Sequence, residues 1–304
     1  MAATVEEREY TTYPRRFAGY KWYKPLLVGV LFVVFFLLFQ LAIELVMDVA
    51  LGGSANQSGY DDMDFFSTAG AFENGARAVV FIPALLFAAR IVNDRPISSY
   101  FSSMGGWRWD VFLKTLAAAF VILGIPTIVS ILVKGQTGVF SFTVGGFVLL
   151  LFFVPLQGVA EELSCRGYLM QTVSSWFMLP AVGVIAQMLV FTAVHPYNSI
   201  GMVEIAVSGL LYALVCICTK GIESSSALHI VNNATEVFMA GFGFGLITSE
   251  QTIPSVALNL VLKVLFFLFI LYTHKKLHWF DIPKRDDVAA FNSAATVHAK
   301  QAQG

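Results

Sequence analysis

Residues 25–47 read PLLVGVLFVVFFLLFQLAIELVM, with one glutamine and one glutamate as the only polar side chains. An apolar run beyond about 18 residues reads as a membrane-spanning helix, since about 20 residues are needed to cross the hydrocarbon layer. Within lipid a helix satisfies its own backbone hydrogen bonds. A barrel strand would alternate polar and apolar residues, and this run does not. The same reading extends to 75–92, 111–133, 140–159, 180–194, 202–219, 227–247 and 254–273, giving eight candidate spans. The fifth is short. Composition agrees: of 304 residues 57% are hydrophobic and 13% charged, against roughly 25% charged in a soluble domain. Phenylalanine, at 28, outnumbers lysine and arginine together, at 19. The expected fold is all-α, a polytopic transmembrane bundle of about eight spanning helices.

The loops orient it. Arg15, Arg16, Lys21 and Lys24 precede the first span. Arg90, Arg95, Arg108 and Lys114 surround the second connection, Arg166 follows the fourth span, Lys220 the sixth, and Lys275, Lys276, Lys284 and Arg285 the last. Residues 52–74 and 248–253 hold no lysine or arginine, and Lys134 is the exception on that side. Positive charge marks the cytoplasmic loops, so both termini are expected in the cytoplasm. This divides the chain into a cytoplasmic segment 1–24, a transmembrane domain 25–274, and a cytoplasmic tail 275–304, partly disordered because 286–304 is rich in Ala, Asn and Gln. The polar start and long first run do not read as a signal peptide. Basic runs are short, which excludes a nucleic-acid surface. Cys165, Cys216 and Cys218 lack disulfide or zinc spacing and read as core packing. Asp61, Asp62 and Asp64 read as a solvated outer loop without calcium-loop spacing.

Three polar groups interrupt the apolar runs, and charge at membrane depth costs at least about 2.5–3.5 kcal/mol, which makes each a functional candidate. In Glu161-Glu162-Leu163-Ser164-Cys165-Arg166, Glu162 and Arg166 are one turn apart and share a face. Glu161 points about 100° away and is free for proton chemistry. Phe191 and His195 are likewise a turn apart, and Pro196 predicts that the helix ends there. His229 and Asn233 share a third face, which Glu236 continues. Of five histidines only His195 and His229 lie in or at the end of spans.

The order Glu-Glu-x-x-x-Arg, Phe-x-x-x-His, His-x-x-x-Asn resembles the signature of the CPBP intramembrane proteases, which include the type II CAAX prenyl endopeptidases and bacterial homologues tied to bacteriocin maturation and immunity. The resemblance covers a protease-like core of about 140–244 and implies an intramembrane endopeptidase acting on a membrane-associated peptide or protein. It implies that Glu161 activates water, that His195 orients and polarises that water, and that His229 and Asn233 form the oxyanion hole. Glu162, Arg166 and Phe191 would support them. His229 is followed by both Asn232 and Asn233, and Asn233 fits the spacing. The implied mechanism needs no cofactor. The alternative is zinc on Glu161, His195 and His229, a ligand set of catalytic zinc type, although the His-Glu-x-x-His arrangement is absent. Two other functions stay open: a non-enzymatic immunity or scaffold protein, and a proton-coupled transporter using Glu161, Glu236 and Lys263, unless Lys263 snorkels to the interface. The expected location is the plasma membrane, with the site opening to the cytoplasm or bilayer. One tension remains. Charge places Glu161 towards the cytoplasm and His195 towards the far side, so either the fifth span stops before crossing fully or the helix carrying Glu161 dips back inward, and the short fifth span and Pro196 favour the first.

Overall fold

The apolar runs fold as helices in a computed structural model that describes residues 9–53, 63–135, 138–281 and 286–301. α1 (Lys24–Leu51) carries Pro25 in its first turn, where a missing N–H is harmless, and ends at Gly52 in the left-handed region. α2 (Thr68–Val79) starts where the Ser67 side chain accepts the Gly70 N–H, and is followed by α3 (Phe81–Val92). A single turn, α4 (Ser98–Phe101), precedes α5 (Trp109–Ala119), which passes through a π-helical stretch, Phe120–Gly124, into α6 (Ile125–Lys134). α7 (Val144–Glu162) continues through a second π stretch, Leu163–Met170, into α8 (Gln171–Phe177). Then come α9 (Pro180–Ala193), α10 (Ser199–Thr219), α11 (Glu223–Gly241), α12 (Ile253–Tyr272) and α13 (Asp287–Gln301). No strand occurs among the described residues.

Six helical runs among the described residues are long and apolar enough to cross a membrane: Lys24–Ala50, Thr68–Val92, Trp109–Lys134, Val144–Phe177, Ser199–Thr219 and Ile253–Leu277. The segments expected at 180–194 and 227–247 are present as α9 and α11 but are of another kind. α9 has 14 residues. α11 carries two glutamates, three serines, a histidine and two asparagines. The chain is a multi-pass membrane protein in which α9 is apolar but short and α11 is long but polar.

The chief difference from expectation lies at the first motif. The fourth span was expected to end at Val159 with Glu161–Arg166 beyond it. Instead the helical run continues for 34 residues to Phe177. No glycine or proline interrupts 159–166, and the charges are satisfied inside: Glu162 and Arg166 are both 0% exposed. Arg166 is therefore an interior residue and carries no information about loop orientation. Lys263 does not snorkel either; it is buried and paired with Glu204. The tail, read from composition as irregular, forms α13 and docks on the N-terminal segment. Ser98 Oγ donates to Asp287, and Asn292 bridges the Ala18 N–H and the Arg16 carbonyl. Asp61 and Asp62 lie outside the described residues, while Asp64 accepts the N–H groups of Phe66 and Ser67 as a turn cap.

Contacts between loops define two ends of the bundle. At one, basic side chains tie the connections together. Arg15 donates to the Ser175 carbonyl, Arg95 to the Gln171 side chain and the Gly167 carbonyl, and Lys24 to the Asn93 carbonyl. Arg108 spans Glu223, Thr219 and Phe280. At the other end the Thr143 N–H meets the Phe66 carbonyl, Gly138 meets Gly243, and Asn198 meets Ser249.

Candidate active site

Gly158 sets the site's geometry. One turn before Glu161 and Glu162, it lies where a Cβ would sit 2.9 Å from Ile230 Cγ1 and 3.3 Å from the Ile230 backbone nitrogen. Small residues allow such close approach between membrane helices. α7 therefore meets α11 backbone to backbone beside His229, the residue before Ile230.

That approach builds a charged ladder. Arg166 Nη1 donates to Glu162 Oε1 at 3.0 Å, and His229 Nδ1 lies 3.0 Å from the same oxygen. A carboxylate only accepts, so His229 Nδ1 carries its proton there and Nε2 is directed elsewhere. Arg166 also donates to the Gly209 carbonyl, and its guanidinium lies over the rings of Phe191 at 4.4 Å and Tyr212 at 5.2 Å. Tyr212 in turn stacks on His229, with ring centroids 5.0 Å apart and planes at 25°. α10 thus supplies the floor under the His229 imidazole.

Glu161 stands on the other side of α7. Its Oε1 accepts from Gln157 Nε2 at 3.0 Å, one turn earlier. Its Oε2 is buried without a hydrogen-bond partner. Two imidazole nitrogens face that oxygen: His229 Nε2 at 3.5 Å and His195 Nε2 at 3.9 Å. His195 follows the end of α9, where Pro196 stops the helix, and its Nδ1 lies 2.6 Å from the Phe191 carbonyl. A carbonyl only accepts, so Nδ1 is the donor and neutral His195 presents a lone pair on Nε2 towards Glu161. Phe191 packs on both imidazoles, at 4.6 Å from His195 and 6.0 Å from His229.

Asn233, one turn after His229, lines the same cavity. Its Oδ1 accepts from Asn232 Nδ2 at 3.2 Å, which leaves its own Nδ2 available as a donor. The structure thus brings Glu161, His195, His229 and Asn233 to one cavity, with Glu162, Arg166 and Phe191 around them. Glu161 and His195 meet because α9 is short and Glu161 is mid-helix, which removes the depth conflict read from charge.

The cavity has a volume of about 1290 Å³ and two unlike walls. Val30, Phe32, Val33, Phe81 and Phe153 line an apolar side that includes α1. Glu204, Ser208, Asn232, Asn259 and Lys263 line a polar side between α10, α11 and α12. Sequence reasoning did not find Gln157, Tyr212 or the Glu204–Lys263 pair. Gln157 carried a readable signal, its spacing of four from Glu161. The partners of Tyr212 and Lys263 are too distant in sequence to leave one.

Zinc is the alternative occupant of these donors. Glu161, His195 and His229 converge on one oxygen, but among the described residues no group of three His, Cys, Asp or Glu side chains is arranged to hold a metal ion.

Residues 142–235 match the family model of the type II CAAX prenyl endopeptidases, Rce1-like. The match spans all three motifs and bears out the resemblance read from them. No curated protein and no solved structure matches the chain.

Proposed function

We propose that the chain is an intramembrane endopeptidase that hydrolyses a peptide bond of a membrane-associated substrate with a water held by Glu161 and His195, on the premise that residues 142–235 match the CAAX-type membrane protease family. The observation that carries this reading is the unpartnered Glu161 Oε2 between two imidazole Nε2 atoms. A water there donates one hydrogen to the carboxylate and one to the His195 lone pair, and turns its own lone pair to the substrate carbonyl. As the water attacks, Glu161 takes its proton, and the carbonyl oxygen becomes an oxyanion. His229 Nε2–H and Asn233 Nδ2–H donate to that oxyanion. Because His229 Nδ1 is already given to Glu162, a donating Nε2 requires the imidazolium, which Glu162 stabilises across 3.0 Å. Arg166 holds Glu162 in place, and Phe191 fixes both imidazoles. The tetrahedral intermediate then collapses as Glu161 returns its proton to the leaving amine.

The scaffold in this reading has eight membrane segments, the short α9 and the polar α11 among them, with both termini on the basic, cytoplasmic side of the plasma membrane. Domain limits follow: a cytoplasmic segment to residue 24, the transmembrane domain to 274, and the tail. His229 lies six residues, about 9 Å of helix rise, below Glu223 at the basic end, which supports access from the cytoplasm or from the bilayer beside α1. Catalysis needs no metal in this scheme.

The test compares membranes carrying the wild-type chain with membranes carrying Glu161→Gln, reading newly formed peptide termini by mass spectrometry. Cleavages present in the first and missing in the second, at equal protein level, support the reading. Identical peptide sets from both overturn it.

A further inference from the structure

The polar wall of the cavity holds charges that the hydrolytic scheme does not use. Lys263 Nζ, on α12, donates to Glu204 Oε1 at 3.3 Å and to Ser208 Oγ at 2.8 Å, both on α10. This pair is self-neutralising. Glu236, on α11, is exposed into the same cavity and has no hydrogen-bond partner among the described residues. The charged groups that face it are Glu204 from α10, Lys263 from α12 and His229 from its own helix. Glu204 and Lys263 are bonded to each other, which leaves the Glu236 carboxyl without a bonded cation.

A second, independent feature lies beside it. Asn259, on α12, lines the cavity at 9% exposure, and its Oδ1 is buried with no partner. Its Nδ2 donates to Asn232 Oδ1 at 3.0 Å. Asn232 and Glu236 are four apart on α11 and share a face, so this amide pair brings Asn259 within about a turn of Glu236. An unmatched carboxylate and an unmatched amide oxygen are both acceptors, and a lysine ammonium or arginine guanidinium is a donor without acceptors.

We propose that Glu236 and Asn259 form a specificity subsite that takes a lysine or arginine side chain of the substrate. This rests on the peptidase reading above. Glu236 lies three residues beyond Asn233, about 4.5 Å of helix rise, and seven beyond His229, about 10.5 Å. An extended peptide advances about 3.3 Å per residue, so the basic residue falls within about three positions of the cleaved bond. The cationic group binds between the Glu236 carboxylate and Asn259 Oδ1, its aliphatic stem lies along the cavity, and Glu204 keeps Lys263 from repelling it.

The experiment uses full-length protein in membranes and collects every cleavage that depends on Glu161. Wild-type sites carry lysine or arginine within about three residues of the cut bond, on the same spacing argument. Glu236→Gln still cuts but loses that preference by about tenfold or more, the size expected for a charge-assisted hydrogen bond. Glu236→Asp keeps it. If Glu236→Gln fails to accumulate, Asn259→Leu gives the same loss. Wild-type sites without basic residues, or a preference that survives both substitutions, overturn the subsite while leaving the peptidase intact. A wild type with no Glu161-dependent cuts overturns the peptidase reading and the subsite together.

Discussion

Two of the buried acid–arginine pairs among the described residues, Glu223 with Arg108 and Glu162 with Arg166, are finished differently. At the basic end, Arg108 Nε and Nη2 clamp both oxygens of Glu223, at 2.8 and 2.9 Å. Its backbone N–H adds a third bond to that carboxylate, and the Thr219 and Phe280 carbonyls take two further donors. Around Glu162 and Arg166 the matching is incomplete. Glu162 Oε2, Arg166 Nε and the neighbouring Glu161 Oε2 all lack partners. A buried ion pair is tolerable when its remaining polar atoms are bonded, and leaving one unmatched costs about 1–3 kcal/mol. The first site is therefore built to hold α5, α10 and α11 together. The second keeps acceptors open beside a cavity, which is the arrangement a reaction requires.

The same substitution at the two sites is expected to split stability from activity. Under the proposed mechanism Glu161→Gln removes the general base, worth about 10²–10⁴ in rate, and leaves the thermal unfolding midpoint in detergent unchanged because no partner is lost from Oε2. Glu223→Gln does the opposite. It leaves Arg108 as an uncompensated buried charge, at about 3–5 kcal/mol, and lowers the unfolding midpoint while turnover per folded molecule holds. If both substitutions lower the midpoint equally, the contrast drawn between the sites is broken.

Asn233→Ala should slow cleavage by about 10²–10³, the usual cost of one oxyanion donor, with the loss in kcat rather than KM. A loss confined to KM would reassign Asn233 to substrate binding. Gly158→Ala tests whether the α7–α11 approach sets the geometry. The added methyl must displace Ile230, and a shift of about 1 Å at a catalytic group can cost about 100-fold. Unchanged turnover would mean that the approach is not needed. The smallest effect expected is from chelation: treatment with EDTA should leave cleavage unchanged. A loss restored by zinc would turn Glu161, His195 and His229 from an acid–base set into ligands.

Much of this was legible before the structure. Periodicity gave the face shared by Glu162 and Arg166, and Pro196 gave the helix end that presents His195. The order of motifs pointed to one site. What stayed hidden has physical causes. Glu161 looked like the end of a span because charges usually mark the interface, yet buried partners let the helix run on to Phe177. The partner of Glu162 is His229, 67 residues away, and that of Lys263 is Glu204, 59 away. Such pairs are chosen by tertiary packing, and local pattern carries no trace of them. Gly158 read as one more apolar position until Ile230 was seen against it.

The proposed mechanism requires that the open oxygen of Glu161 hold a water. An experimental structure of the wild-type protein in lipid, at a resolution that reveals ordered solvent, measures it directly. The account predicts a water within hydrogen-bonding distance, about 2.6–3.2 Å, of both Glu161 Oε2 and His195 Nε2, and facing the cavity. A Glu161 side chain bonded on both oxygens to protein donors, or His195 turned out of the cavity, would contradict it.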